Sequence, residues 1–332
     1  VHAFVPTPAI GFEIKTPFTS AVDRGTDFTI QVNEEQAEIS VVKGRVDLCR
    51  TGTPDISVTT GNGQKYSSSG MSQPITARLD RYIDHTMFQG LLDLYVQRVE
   101  QKQTELAIQM EKHPNLLVRF LLNNGNSSEI VNRSQRGSST TDKALVQHCI
   151  MNEGSLPGSQ SLRFNRRDSG VTFTLPAKTS DLTMIASVCV DQPKNQGNVL
   201  ASSNEHGRIP GSFLWQLAAD GRFFFQITDN RKEIDFFQSP VVLTPAKRYT
   251  WSQIALVADS NKKEIRFYQD GKQVGRREWS DPIPLIPGAM TLGNAAQQEN
   301  LTARFLNGAM ENFALFDRAL SDEEIRNLTY NY

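Results

Sequence analysis

The chain has 332 residues, with 35 Lys and Arg against 36 Asp and Glu, for a formal net charge of −1. That length suggests about two domains and is enough to bury a real core. The balanced charge leaves no basic excess to neutralise phosphates, which argues against nucleic acid and anionic membrane surfaces as partners. Hydrophobic residues make up 38% and charged residues 21%, a globular rather than a disordered balance. No apolar run approaches the roughly 18 residues of a membrane-spanning helix. The chain starts at Val1 with no signal peptide, so a targeting segment or membrane anchor is expected upstream.

Residues 27–32, 37–42 and 45–48 alternate apolar and polar side chains and are rich in β-branched residues. Asp23-Arg24-Gly25, Asn33-Glu34-Glu35 and Lys43-Gly44 separate them, so they read as antiparallel strands joined by tight turns. The stretch 59–70, rich in Gly and Ser, is predicted as a loop or linker. Over about 78–112 the period changes. Phe88, Leu91, Leu92, Tyr95, Val99, Leu106 and Met110 recur at helical spacing until Pro114. The stripe is too short for a coiled coil and is predicted to pack on a β domain.

Beyond residue 113 the pattern returns to strands, at 116–122, 161–164, 171–175, 183–190, 213–217, 222–227, 251–258, 264–269, 290–292 and 309–316. Asp220-Gly221, Asp229-Asn230 and Asp270-Gly271 mark turns between them, which predicts a two-sheet sandwich. Ser321 followed by Glu324 is a capping box that opens a short closing helix.

Several motifs of this last region resemble the laminin-G-like, concanavalin A-like jelly-roll family. They are Trp251-Ser252-Gln253-Ile254-Ala255, the hairpin Tyr268-Gln269-Asp270-Gly271-Lys272, Gly308-Ala309-Met310-Glu311-Asn312-Phe313, and the closing Phe316-Asp317-Arg318-Ala319-Leu320-Ser321-Asp322-Glu323-Glu324-Ile325. Glu153-Gly154-Ser155-Leu156-Pro157-Gly158 with Ser161-Leu162-Arg163-Phe164 resembles the opening of such a domain. Nearer the start, Gly11-Phe12-Glu13-Ile14-Lys15-Thr16-Pro17, Val22-Asp23-Arg24-Gly25-Thr26-Asp27-Phe28 and Val41-Val42-Lys43-Gly44-Arg45-Val46 resemble the later part of a periplasmic FecR domain, with Asp27 where that family has Glu. The fold class expected is therefore mainly β. A FecR-like β unit occupies 1–70, a linker and amphipathic helix 71–112, and a jelly-roll β-sandwich 113–332. This layout resembles cell-envelope proteins of planctomycete-type bacteria, which implies a periplasmic or cell-surface location.

The chemistry-bearing residues are sparse. Cys49, Cys149 and Cys189 show no metal-ligand spacing and leave room for one disulfide at most. There is no nucleophile elbow, phosphate loop or dinucleotide fingerprint. Hydrolysis of a glycan needs two carboxylates across a cleft, and Glu233 with Asp235 is the best alternating pair available. His148 and Cys149 are adjacent, so on a strand they point to opposite faces. Trp215 is the candidate sugar platform, with Asn204, His206 and Arg208 in a polar loop supplying hydrogen bonds, against the reading in which Trp215 alternates with Phe213 and Leu217 and faces the core. Calcium is the one cofactor the jelly-roll resemblance raises. Glu311 stands where that family commonly has Asp, and Asp168 is the second oxygen donor. The leading reading is a non-enzymatic envelope binding or sensor module whose partner is a carbohydrate or an envelope protein. A structural or adhesive surface module and a glycan-active enzyme are the alternatives.

Overall fold

The computed structural model describes residues 2–4, 11–50, 53–78, 85–123, 128–136, 141–156, 159–175, 178–191, 197–243, 249–295 and 304–329. The chain divides into two compact units, Val1–Gln97 and Arg98–Tyr332.

In the first unit the strands are β1 (His2–Phe4), β2 (Glu13–Lys15), β3 (Ser20–Asp23), β4 (Asp27–Val32), β5 (Gln36–Lys43), β6 (Arg45–Cys49), β7 (Ile56–Thr59), β8 (Asn62–Ser67) and β9 (Ser72–Thr76). They form two antiparallel sheets, β1-β4-β5-β8-β9 and β2-β3-β6-β7. Alternation sends Phe28, Ile30, Ile39, Val41, Val46, Leu48 and Val58 into one shared core. The turn after β3 depends on Gly25, whose φ of +86° suits a residue without Cβ. The Asp23 carboxylate accepts the Gly25 N–H at 2.9 Å. The stretch expected as a loop over 59–70 instead builds β8, which pairs with β5 and β9. The one glycine of β8 serves the pairing: a Cβ on Gly63 would lie 2.5 Å from the Ile39 carbonyl oxygen of β5.

The helix α1 (His85–Glu111) crosses the division between units. Of its apolar stripe, Met110 is buried, Val99 and Leu106 are half-buried, and Leu91 and Tyr95 are exposed. The side chains of Phe88 and Leu92 lie outside the described residues. No helix among the described residues is long and apolar enough to cross a membrane.

The second unit continues with β10 (Leu116–Leu121), β11 (Glu129–Val131), β12 (Lys143–Gln147), β13 (Ile150–Glu153), β14 (Gln160–Phe164), β15 (Gly170–Leu175), β16 (Leu182–Val190), β17 (Asn198–Ser203), β18 (Phe213–Leu217), β19 (Arg222–Thr228), β20 (Ile234–Val241), β21 (Trp251–Asp259), β22 (Glu264–Gln269), β23 (Lys272–Glu278), β24 (Gly288–Leu292), β25 (Gly308–Phe316) and α2 (Asp322–Asn327). One sheet runs β13-β14-β25-β16-β21-β22-β23, with β10 also on β25, and the other runs β11-β12-β15-β24-β17-β18-β19-β20. Their inner faces share a single core that holds Phe120, Phe164, Phe213, Trp215, Phe225, Phe267, Trp279 and Phe313. A smaller cluster covers the outer face of the first sheet. There Ile185, Val257, Tyr268 and Phe316 meet Met110 of α1 and Leu320, Ile325 and Leu328 of the closing segment. The capping box forms as expected: Ser321 accepts the Glu324 N–H, and the Glu324 carboxylate accepts the Ser321 N–H at 2.8 Å.

Candidate functional site

Trp215 is not a platform. It lies on β18, fully buried between Phe213 and Leu217 in the sandwich core. An odd-numbered residue of β18 faces inward with Phe213, so its ring never reaches solvent. The loop after β17 holds the other three expected residues, and they do not surround Trp215 with an open surface. Asn204 is half-buried and accepts the Thr291 hydroxyl at 2.9 Å, while Arg208 is exposed. His206 is 5% exposed. Burial, with Arg304 as a lesser cause, pushes its imidazole down from 6.5 to about 4.

That depression sets a pH dependence. Between pH 6.5 and 4 the unfolded chain binds a proton at His206 that the folded chain does not, so stability falls as pH falls through this window. At about 1.4 kcal/mol per pH unit the loss reaches about 3 kcal/mol. A His206→Asn variant is expected to show a flatter denaturation midpoint over the same window, measured by urea titration against the unsubstituted protein.

The calcium donors do not come together. Both Asp168 carboxylate oxygens accept from the Arg166 guanidinium at 2.9 Å, and His148 Nδ1 sits 3.1 Å from the same group. Arg166, through its hydrogen bond, is the main cause that holds the Asp168 carboxyl below the usual range. Glu311 receives the Ser155 N–H at 3.4 Å. Among the described residues no three His, Cys, Asp or Glu side chains gather where an ion would sit. The two carboxylates named for calcium, which asks for six to eight oxygens, are thus engaged with different partners.

The Glu233–Asp235 pair also separates. Glu233 lies in the turn before β20 and pairs with Arg231 at 3.2 Å, whereas Asp235 is on the strand, opposite Ile227. Burial first, then Asp229, raises the Asp235 carboxyl. Cys149 is a free thiol that burial pushes up to about 12, and the imidazole next to it points at Asp168 instead. Cys49 and Cys189 are free thiols as well.

Two surfaces of the second unit have the character of a binding site. The first is a groove of about 530 Å³ between α1 and the strands β10, β14 and β25. Glu100, Gln103 and Thr104 line one wall, and Arg119, Ser159, Gln160, Glu311 and Asn312 line the other. A register shift between β16 and β25 leaves Glu311 as an extra residue between Met310 and Asn312. A bulge of this kind re-aims a side chain out of strict alternation. The second surface is the outer face of β19 and β20. Phe223, Phe225 and Phe237 point into the core, so Phe224 and Phe236 must point out. Their rings lie 4.6 Å apart, and Phe236 is 50% exposed. Gln238 is directly opposite Phe224, and Gln226 is directly opposite Phe236. Rings and amides thus alternate in a checkerboard. The run Phe223-Phe224-Phe225 and the pair Phe236-Phe237 were the signal for it, because adjacent strand residues point to opposite faces and both faces here carry rings.

Residues 164–326 match the family described as the concanavalin A-like lectin/glucanases superfamily. This part of the chain is a concanavalin A-like jelly roll. Similar solved structures include the binding domain of Paraclostridial Mosquitocidal Protein 1, at 15% identity and a TM-score of 0.50 over 64% of this chain and 51% of that one. They also include Domain 4 of AbnA, a GH43 extracellular arabinanase from Geobacillus stearothermophilus, in complex with arabinotriose. That match has 12% identity and a TM-score of 0.48 over 65% of this chain and 98% of the other. The chain spans about half the length of the mosquitocidal binding domain. No curated protein matches the chain. At these identities the likeness defines the fold of the jelly roll alone.

Proposed function

We propose that the chain is a non-enzymatic binding module of the cell envelope, and that its jelly roll holds carbohydrate on the outer face of β19 and β20. The observation that carries this reading is the outward-facing Phe224–Phe236 pair, Phe224 half-buried and Phe236 exposed, 4.6 Å between centroids, with Gln226 and Gln238 beside the rings. A pyranose is apolar on its ring face and rich in hydroxyls at its edge. Aromatic rings bury the face and planar amides bond the edge, the mix of apolar lining and few polar groups typical of ligand sites. The matching family description, which names lectins and glucanases, supports a glycan-directed role for the fold. The FecR-like motifs of the first unit, such as Arg24-Gly25-Thr26, support a signalling or scaffold part and an exported, periplasmic or cell-surface location.

The test is calorimetric titration of the chain with neutral oligosaccharides, in the unsubstituted form and as Phe236→Ala. Loss of ring stacking and its buried area is expected to weaken binding about tenfold. The melting temperature stays within about 2 °C, because the side chain is half exposed. Undiminished affinity in the variant overturns the site. Release of shortened glycans from any panel member overturns the non-enzymatic reading.

A further inference from the structure

The groove beside α1 differs in chemistry from the aromatic face. Its lining includes one cation, Arg119, which is almost fully buried. That guanidinium is committed elsewhere: it pairs with Glu111 and donates to the Ala107 carbonyl at 3.2 Å. Two carboxylates remain, Glu100 from α1 and Glu311 from the bulge of β25, and among the described residues neither is paired with a cation. A second observation points the same way. Asn312 is 7% exposed and spends its side-chain N–H on the Ser187 hydroxyl at 2.9 Å. Its Oδ1 has no partner among the described residues, so a nearly buried acceptor borders the groove.

The groove therefore offers acceptors and negative charge, with amides and hydroxyls from Gln103, Gln160 and Ser159 around them. The matching ligand group is one with several donors, no acceptor and a positive charge, which describes a primary ammonium. The flanking amides and hydroxyls suit hydroxyl groups on the same ligand. At about 530 Å³ the space falls within the range of small-ligand sites. We infer that this groove is a second site, one that binds amino sugars through their protonated amine. It is separate from the aromatic face and does not depend on the reading given to that face.

The experiment titrates the full chain with glucosamine oligomers carrying free amines, and with fully N-acetylated oligomers of equal length. N-acetylation removes the charge and two donors, so the acetylated oligomer is expected to bind at least about tenfold more weakly, from the worth of a charged hydrogen bond. Glu311→Gln and Glu100→Gln preserve shape and are each expected to weaken the free-amine oligomer about fivefold or more, by loss of a charge-assisted bond. Added salt weakens it further. Phe236→Ala leaves the amine-dependent, salt-sensitive component of amino-sugar binding unchanged, whereas the two Gln variants remove that component and leave neutral-glycan binding unchanged, so the two sites fail separately. The inference is overturned by no binding of the free-amine oligomer, by equal affinity for the acetylated form, or by full affinity in both Gln variants. It is also overturned if a lysine-containing peptide binds the groove more tightly than the amino sugar.

Discussion

Replacement of Arg266 by methionine is expected to lower the melting temperature of the jelly-roll unit by about 10 °C, from about 3–5 kcal/mol lost at about 2–4 °C per kcal/mol. The guanidinium is 4% exposed on β22. It pairs with Asp322 at the start of α2, donates to the Tyr268 hydroxyl at 2.6 Å and to the Leu320 carbonyl at 2.8 Å, and has Glu264 at 3.2 Å and Asp259 at 3.8 Å. Glu264 and Asp259 are themselves almost fully buried. Methionine fills the volume but strands those carboxylates without their main counter-charge, and this accounts for the size of the loss. Arg276 also reaches Glu264, at 2.5 Å, which keeps the loss from being larger. Lysine is expected to recover little, since one ammonium cannot bond both the carbonyl and the carboxylates in a planar fork. Asp322→Asn is the milder comparison, because that carboxylate is more than half exposed. Calorimetry on the full chain reads all three, and an Arg266→Met transition within about 2 °C of the unsubstituted protein would contradict the account.

Trp215→Ala is expected to cost about 3–5 kcal/mol, the usual loss when a buried indole is cut to a methyl group. The melting temperature should again fall by about 10 °C. Emission should report the same burial: Trp215 and Trp279 are 0% and 1% exposed, so these two of the three tryptophans should fluoresce in the blue and resist iodide quenching, and half-buried Trp251 supplies the quenchable fraction. The substitution should leave the glycan affinity of the remaining folded molecules unchanged, in contrast to Phe236→Ala. A Trp215→Phe variant that keeps its melting temperature but loses glycan binding would show that the indole touches ligand after all.

Local rules were enough for much of this architecture. Asp270-Gly271 marked a hairpin, and both residues take positive φ, +49° and +74°. Ser321 and Glu324 declared their capping box through spacing alone. Apolar runs located the central strands β16, β21 and β25, whose residues are buried on both faces of the sheet. The misreadings share one cause, which is that side-chain direction depends on partners far away in sequence. Trp215 looked like a platform because a polar loop precedes it, yet its facing follows from pairing with Phe225 of β19 and Ala201 of β17. Glu311 owes its outward aim to a register shift against Ser187 and Val188, more than a hundred residues earlier. The stretch 59–70 has a loop's composition, but β5 supplies the edge that orders it. The groove is assembled from α1, β10, β14 and β25, and no sequence window spans those pieces.

The position of β25 constrains how the domain comes into being. This strand is the last of the described strands but sits inside its sheet, with β16 along one side and β10 and β14 sharing the other. While the chain is being synthesised, those three wait with open edges until residues 308–316 leave the ribosome. Such long-range closure slows folding and exposes strands to wrong pairing in the interval. A chain cut short before Gly308 would lack the strand on which β10, β14 and β16 all pair, and their open edges would be exposed to wrong pairing.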